Sequence, residues 1–256
     1  MVEEMKQAAA HIISNEEIMP QTHLVWLEAP EIAADARPGQ FVMVRCGNNH
    51  DPLLRRPLSI HQVTAAGRIA LLFSVVGRGT VLLSRRQQGD CLDLVGPLGN
   101  GFTIEPDSHR LLLVAGGLGL APLLFLATKG LDEGCSVVLL MGTRNVSLLY
   151  PLSSLSSRIT CFTTTEDGSA GVKGVVTGLI AECADQADQV FACGPISMYR
   201  SMACDGGLKR GRVQISLEVV MGCGVGACYG CTIKTRKGLQ QVCRDGPVFE
   251  LDEVVW

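Results

Sequence analysis

Near the C-terminus runs Met221-Gly222-Cys223-Gly224-Val225-Gly226-Ala227-Cys228-Tyr229-Gly230-Cys231, and after eleven intervening residues comes Cys243. The first three cysteines have the spacing C-x4-C-x2-C. Four thiolates are what a [2Fe–2S] cluster requires, and this spacing with a distant fourth cysteine is the plant-type ferredoxin arrangement. The interleaved glycines serve the same end, because the backbone must curl tightly and aim N–H groups at the sulfurs. Structural zinc held by four cysteines usually comes as two C-x2-C knuckles with a spacer, and only Cys228 and Cys231 form a knuckle here. Cys223, Cys228, Cys231 and Cys243 are therefore expected to hold a [2Fe–2S] cluster, with zinc second and disulfides far behind.

Working outward, the residues from 216 to 256 are too few to build a core of their own, so a metal staple is expected there. The 256-residue chain leaves room upstream for two moderate domains. Hydrophobic residues make up 47%, which predicts a substantial core and not disorder. A net charge of −3 without a long basic run argues against nucleic acid as a partner. Eleven cysteines, scattered apart from the terminal group, and an N-terminus without an apolar signal stretch point to reduced thiols in a cytoplasm. Residues 111–128 carry no charge in eighteen positions, which is long enough to suggest a membrane span. Gly116, Gly117, Gly119 and Pro122 interrupt the run, however, and a buried strand, a glycine turn and an apolar helix explain it better.

Between 22 and 102 the chain reads as short strands, over 23–29, 41–46, 57–63, 69–76 and 91–95, separated by glycine- and proline-bearing turns. Such spacing predicts a sandwich or barrel. In Arg55-Arg56-Pro57-Leu58-Ser59, Arg and Ser stand three apart on a strand. A guanidinium there can clamp a pyrophosphate bidentately while the hydroxyl bonds a flavin edge. A basic strand end facing solvent is the competing reading. Gly77-Arg78-Gly79-Thr80 precedes a helical stretch over 81–86, which offers backbone N–H groups to a phosphate or is an ordinary Thr80 cap.

Beyond Pro106 strands over 110–115, 136–141, 158–164, 189–192 and 212–217 alternate with helices over 118–131, 175–184 and 195–204. This predicts a doubly wound parallel α/β sheet. Its first strand runs into Gly116-Gly117-Leu118-Gly119-Leu120-Ala121-Pro122, a G-x-G-x-x turn that ends in proline where a dinucleotide fingerprint has Gly or Ala. Proline is tolerated in a first helical turn. No acidic residue follows the second strand; Gly142-Thr143-Arg144-Asn145 does, so NAD and NADP both stay open. Cys193-Gly194-Pro195 closes a later strand at its carboxyl end, where open α/β sheets bind ligands. A small buried cysteine is the alternative there. The polar loop 165–174 either lines the same site or is a solvated surface loop.

Taken in order, Pro38-Gly39-Gln40-Phe41, Arg56-Pro57-Leu58-Ser59, Gly77-Arg78-Gly79-Thr80 and Gly96-Pro97-Leu98-Gly99-Asn100-Gly101-Phe102 resemble the ferredoxin reductase-like flavoproteins. That resemblance implies a six-stranded antiparallel barrel holding FAD through Arg56, Pro57, Leu58, Ser59, Leu72, Phe73, Ser74, Gly79 and Thr80. It also implies a nicotinamide site at Gly116, Gly117, Gly119, Cys193, Gly194 and Pro195, with Cys193 near the nicotinamide. With Ser216-Leu217-Glu218 before it, the cysteine loop is similar to that of the electron-transfer subunits of NAD-dependent type B dihydroorotate dehydrogenases. The match runs from about 40 to 249.

The expected organisation is thus an FAD-binding β-barrel over 1–105, an NAD-binding α/β domain over 106–215 and a [2Fe–2S] segment over 216–256. The resemblance implies an oxidoreductase subunit of pyrimidine (UMP) biosynthesis. It would take electrons from the FMN of a partner catalytic subunit, in a heterotetramer of two of each, and pass them through the cluster and FAD to NAD. No acid–base triad is visible. The five histidines, at 11, 23, 50, 61 and 109, show no ligand spacing and read as structural or exposed. Two rival readings are a reductase subunit of another complex, of sulfhydrogenase or anaerobic reductase type, and a zinc-stapled binding protein without flavin. Trp256 reads as a packed or frayed end.

Overall fold

Strands built from alternating apolar residues close the N-terminal half of the chain into a barrel. The computed structural model describes residues 5–47, 51–204, 208 and 212–256; His50 lies outside them. The barrel elements are β1 (Lys6–Met19), β2 (Thr22–Glu28), the short α1 (Pro30–Ala33), β3 (Phe41–Val44), β4 (Arg56–Val63), β5 (Arg68–Ser74), α2 (Arg78–Ser84) and β6 (Cys91–Leu98). They pair antiparallel in the closed order β1-β2-β5-β4-β3-β6. Closure leaves no exposed edge.

The resemblance implies six strands, but the residue pattern marks only five of them; the one it does not mark is β1. Its sequence, KQAAAHIISNEEIM, is rich in Ala and Glu, which are poor strand formers. Only Ala10 and Ile12 are fully buried along it, so its alternation is too faint to stand out. Pairing with both β2 and β6 holds it in place, so tertiary context overrides local preference here.

Period-two alternation divides the barrel residues between two environments. Val42, Val44, Ile60, Leu71 and Phe73 fill the interior. Phe41 and Met43 point outward into a core shared with the rest of the chain, and Leu72 points into a second one.

The second half contains β7 (Arg110–Gly116), α3 (Leu120–Asp132), β8 (Ser136–Thr143), β9 (Ile159–Thr165), β10 (Val172–Lys173), α4 (Ile180–Ala184), β11 (Gln189–Cys193), α5 (Ile196–Cys204) and β12 (Val213–Ser216). It ends with β13 (Thr232–Thr235), β14 (Gly238–Gln241), α6 (Val242–Asp245) and β15 (Val248–Glu250). The sheet order is β10-β9-β8-β7-β11-β12-β15. Every pairing is parallel except that of β15, which lies antiparallel on β12. The β7 run Leu111-Leu112-Leu113-Val114 is apolar throughout because both faces are covered. Leu111 and Leu113 face the α3 side, and Leu112 and Val114 the other.

The C-terminal segment has no separate core. Met221, Cys231, Val242, Cys243 and Phe249 join Leu112, Val114, Phe41 and Met43 in one apolar cluster. Trp256 is packed, its ring 5.5 Å from that of Tyr199 and its Nε1–H donating to the Leu251 carbonyl at 3.0 Å. Among the described residues no helix is long and apolar enough to cross a membrane.

Candidate functional site

The cysteine loop is shaped by residues in left-handed backbone conformations, Gly224 at φ +75°, Gly226 at +79° and Tyr229 at +59°. These reversals aim main-chain amides at sulfur. Val225 and Ala227 N–H donate to Cys223 Sγ at 3.4 and 3.3 Å, and Gly226 N–H to Cys243 Sγ at 3.2 Å. Cys243 N–H donates to Cys231 Sγ at 3.4 Å. The Gln241 side chain holds the loop from behind, donating to the Gly226 carbonyl at 3.0 Å.

Cys231 and Cys243 are buried, Cys223 is half-buried and Cys228 is exposed. Burial works against ionising Cys223, but the amides of Val225, Cys228 and Ala227 together with the Cys228 thiol outweigh it and draw its pKa down to about 6. Cys243 is pushed up to about 12 by burial and by its hydrogen bond with Cys231. Among the described residues no three His, Cys, Asp or Glu side chains close on a single-ion centre. Four thiols, three of them with N–H groups trained on their sulfurs, fit an anionic [2Fe–2S] cluster. Val220 (90% exposed), Leu239 (77%), Tyr229 (70%) and Val225 (42%) are large apolar side chains on this segment that remain open to solvent.

On β4 the stretch Arg56 to Ser59 is half-buried at every position, while Ile60 and His61 beyond it are fully buried. Pro57 lies opposite Met43 and Ser59 opposite Phe41, on the outer face of the barrel; Leu58, opposite Val42, packs toward the interior. The two arginines have separate employment. Arg55 is consumed by Asp93, donating to its carbonyl at 2.7 Å and its carboxylate at 2.6 Å. The Arg56 guanidinium lies against Gly79, where a Cβ would fall 2.8 Å from its Nε. This close approach joins the β4 motif to the start of α2 in one cradle, which fits a dinucleotide pyrophosphate. The Thr80 hydroxyl is committed to the turn: it accepts from Val76 N–H at 2.9 Å and donates to the Gly77 carbonyl at 3.0 Å. Leu72 and Ser74 line a neighbouring cleft, whereas Phe73 turns its ring into the barrel, stacked on His23 at 5.6 Å.

That cleft, of about 780 Å³, lies between the barrel and the carboxyl ends of the sheet strands. Gly116, Gly117 and Pro195 line it, as do Arg144 at the end of β8 and Glu166 at the end of β9. Thus the loop 165–174 contributes one carboxylate to the cleft. Its tip closes on itself, with Ser169 donating to Asp167 at 2.6 Å. Gly119 plays a packing part: a Cβ there would overlap the Cys193 carbonyl. Gly194 is similar, a Cβ falling 2.7 Å from Met198 Cε.

Cys193 is fully buried, and its thiol lies 3.8 Å from Glu218 Oε1 as a donor. Burial, reinforced by the Glu218 charge, pushes that thiol far up. Glu218 keeps solvent-accessible surface, yet protein crowds its carboxyl closely enough that desolvation raises its pKa, against the help of the Cys193 hydrogen bond. Tyr199 ties this corner together, accepting from Gly194 N–H at 2.8 Å and donating to the Ser216 carbonyl at 2.7 Å. Sequence reasoning gave Glu218 no role. A lone carboxylate just after a strand has no motif; only the folded proximity of β11 and β12 brings it to Cys193.

His61 links the barrel to α3 and to the chain after β8. It is fully buried on β4, with Nδ1 2.9 Å from the Ala121 carbonyl and Nε2 3.3 Å from the Tyr150 hydroxyl. The carbonyl can only accept, so Nδ1 carries the proton and Nε2 accepts from Tyr150. Burial lowers its pKa from 6.5 to about 4, against the Ala121 hydrogen bond. Between these values the unfolded chain takes up a proton that the folded chain refuses. Stability from this group is complete above pH 6.5 and is lost as pH falls toward 4, by about 3 kcal/mol in total. Chemical denaturation across that range should show the slope, and His61→Gln should flatten it; an unchanged slope would contradict the assignment.

Comparison with known proteins places this arrangement. Residues 218–255 match the family described as the iron-sulfur cluster binding domain of dihydroorotate dehydrogenase B. The chain is 40% identical over 247 residues to the dihydroorotate dehydrogenase B (NAD(+)) electron transfer subunit of Desulforamulus reducens, covering 93% of this chain and 94% of that protein. The subunit of the same name from Geobacillus thermodenitrificans is 36% identical over 250 residues, covering 95% and 96%. Among solved structures, an NADH-dependent reduced ferredoxin–NADP oxidoreductase superposes with a TM-score of 0.85 at 30% identity, covering all of this chain and 92% of that one. A ferredoxin NADP+ reductase from Neisseria gonorrhoeae, solved with FAD and NADP, gives 0.67 at 18% identity, covering 83% and 98%, and shares the fold.

Proposed function

Because this chain belongs to the family of dihydroorotate dehydrogenase B (NAD(+)) electron transfer subunits, we propose that it carries electrons from the FMN of a partner catalytic subunit to NAD+, through a [2Fe–2S] cluster and FAD. This places it in pyrimidine biosynthesis, in a complex with that partner. A cytoplasmic setting suits its eleven unpaired cysteines. The observation that carries the reading is the seating of the four-thiol loop on the outer face of the barrel, beside the strand that bears Arg56 to Ser59.

The cofactors supply the redox chemistry: a flavin exchanges electrons singly or in pairs, a [2Fe–2S] cluster one at a time, and nicotinamide only as hydride. The chain's residues bind and position. Cys223, Cys228, Cys231 and Cys243 hold the cluster. Arg56 clamps the FAD pyrophosphate, Ser59 faces the flavin, and Pro57, Leu58, Leu72, Phe73, Ser74, Gly79 and Thr80 form the walls, Phe73 and Thr80 through their backbone. Gly116, Gly117 and Pro195 admit NAD, while Gly119, Cys193 and Gly194 hold that rim in shape. The division of labour is 1–105 for FAD, 106–215 for NAD and 216–256 for the cluster. Val220, Tyr229 and Leu239, exposed on the cluster segment, supply the apolar surface that a partner subunit covers.

Reconstitution tests the reading. The isolated chain should oxidise NADH with artificial acceptors and leave dihydroorotate untouched; adding the FMN-containing catalytic subunit should confer dihydroorotate-dependent NAD+ reduction. Dihydroorotate turnover by the chain alone, or none with the partner, would contradict it. The 30% identical oxidoreductase favours a second reading, a reductase subunit of another complex; co-purification with a different enzyme would support that one.

A further inference from the structure

Two of the contacts between the cluster segment and the N-terminal half lie next to a cysteine of the ligand set. At one, Gly224, the residue after Cys223, lies on the Met43 side chain: a Cβ there would collide with Met43 Cγ and sit 2.7 Å from Sδ and 3.3 Å from Cε. At the other, two residues past Cys243, the Asp245 carbonyl accepts from Asn100 Nδ2 at 3.0 Å, and Asn100 forms a bridge with Pro247.

Met43 itself is 1% exposed. Its strand neighbours are Pro57 on β4 and Val95 on β6. One side chain thus has the cluster loop above it and the flavin strand beside it, within an apolar cluster that also contains Cys231 and Cys243. A backbone pressed onto a thioether at this distance is possible only because residue 224 lacks a Cβ and accepts a φ of +75°. Methionine suits such a seam, since its unbranched, polarizable side chain fills irregular gaps.

We propose that Met43 is the positioning residue that fixes the separation of cluster and flavin, and that its packing against Gly224 forms the bridge across which electrons cross between them. The inference rests on the functional reading above. The step it serves moves one electron at a time: the donor is oxidised and the acceptor reduced by the same count, with no bond made or broken. Tunnelling falls off steeply with distance and faster across a void than through packed atoms. A shortened side chain at 43 therefore leaves a gap where continuity matters most.

Anaerobic stopped-flow mixing of the full chain with NADH separates the two events, flavin reduction and then cluster reduction. Met43→Leu, which conserves volume, should keep both phases near wild type. Met43→Val and Met43→Ala should slow the cluster phase progressively, by about tenfold or more for alanine, with the flavin phase unchanged. Cluster EPR and flavin absorbance should stay at wild-type occupancy; if the alanine variant loses the cluster, the valine variant carries the test. Valine and alanine variants with a wild-type cluster phase would overturn the bridge while leaving the electron-transfer reading intact. A wild-type chain whose flavin is reduced by NADH but whose cluster never follows would overturn that reading itself.

Discussion

Cys228→Ser should abolish the visible absorption of the cluster while most of the FAD stays bound. The two halves of this expectation have different physical causes. A hydroxyl is a poor ligand for iron where thiolate is required, so loss of one sulfur from a four-sulfur set removes the site. Cys228 is also exposed, so the substitution leaves no hole in the core, and Arg56 with the rest of the flavin cradle lies on the barrel. Cys231→Ser should be harsher. Cys231 belongs to the apolar cluster beneath the sheet, and a hydroxyl there is buried without a designed partner, at a cost of about 1–3 kcal/mol. Iron, sulfide and flavin analysis with a thermal melt distinguishes the variants. An unchanged cluster spectrum in Cys228→Ser would sink the ligand assignment.

Gly119→Ala should be the most destabilising single methyl addition in the nucleotide turn. Its Cβ would overlap the Cys193 carbonyl and lie 2.8 Å from Gly194 N. Both obstacles are main chain, with no side chain free to swing aside. Either α3 or the end of β11 has to shift, at about 3 kcal/mol or more. Gly117→Ala provides the contrast within the same motif. Nothing lies within 4 Å of its Cβ position, and only φ +55° opposes the change, which costs about 1 kcal/mol. Urea denaturation should therefore rank the two variants clearly. Because Gly117 lines the cleft and Gly119 supports it, Gly117→Ala should act mainly on KM for NADH. Equal destabilisation by both would contradict the packing account.

The contrast between these glycines illustrates how far sequence reasoning reached. The fingerprint located the turn, yet its spacing could not tell a residue that opens the cleft from one that packs loops together. That distinction depends on β11, some seventy residues downstream. The parallel sheet was legible because its central strands β7, β8 and β11, buried on both faces, are nearly continuous apolar runs. The cysteine loop was legible because ligand chemistry constrains spacing. Strand β1 was not, since Ala and Glu carry little strand signal and its partners come from β2 and β6. The flavin motif was readable as a string, but register alone shows that Leu58 and Phe73 turn inward while Pro57 and Ser59 face out. Glu218 and His61 emerged only in three dimensions, because their partners Cys193, Ala121 and Tyr150 are distant in sequence.

The most direct test of electron transfer along this chain is an anaerobic titration of the purified protein with NADH, followed by optical and EPR spectroscopy. Bleaching of a bound flavin together with the appearance of a reduced [2Fe–2S] signal, in a fixed ratio of two electrons to one, is the expected result. A protein that takes up no electrons from NADH, or whose flavin is reduced while its cluster stays oxidised, would contradict the account.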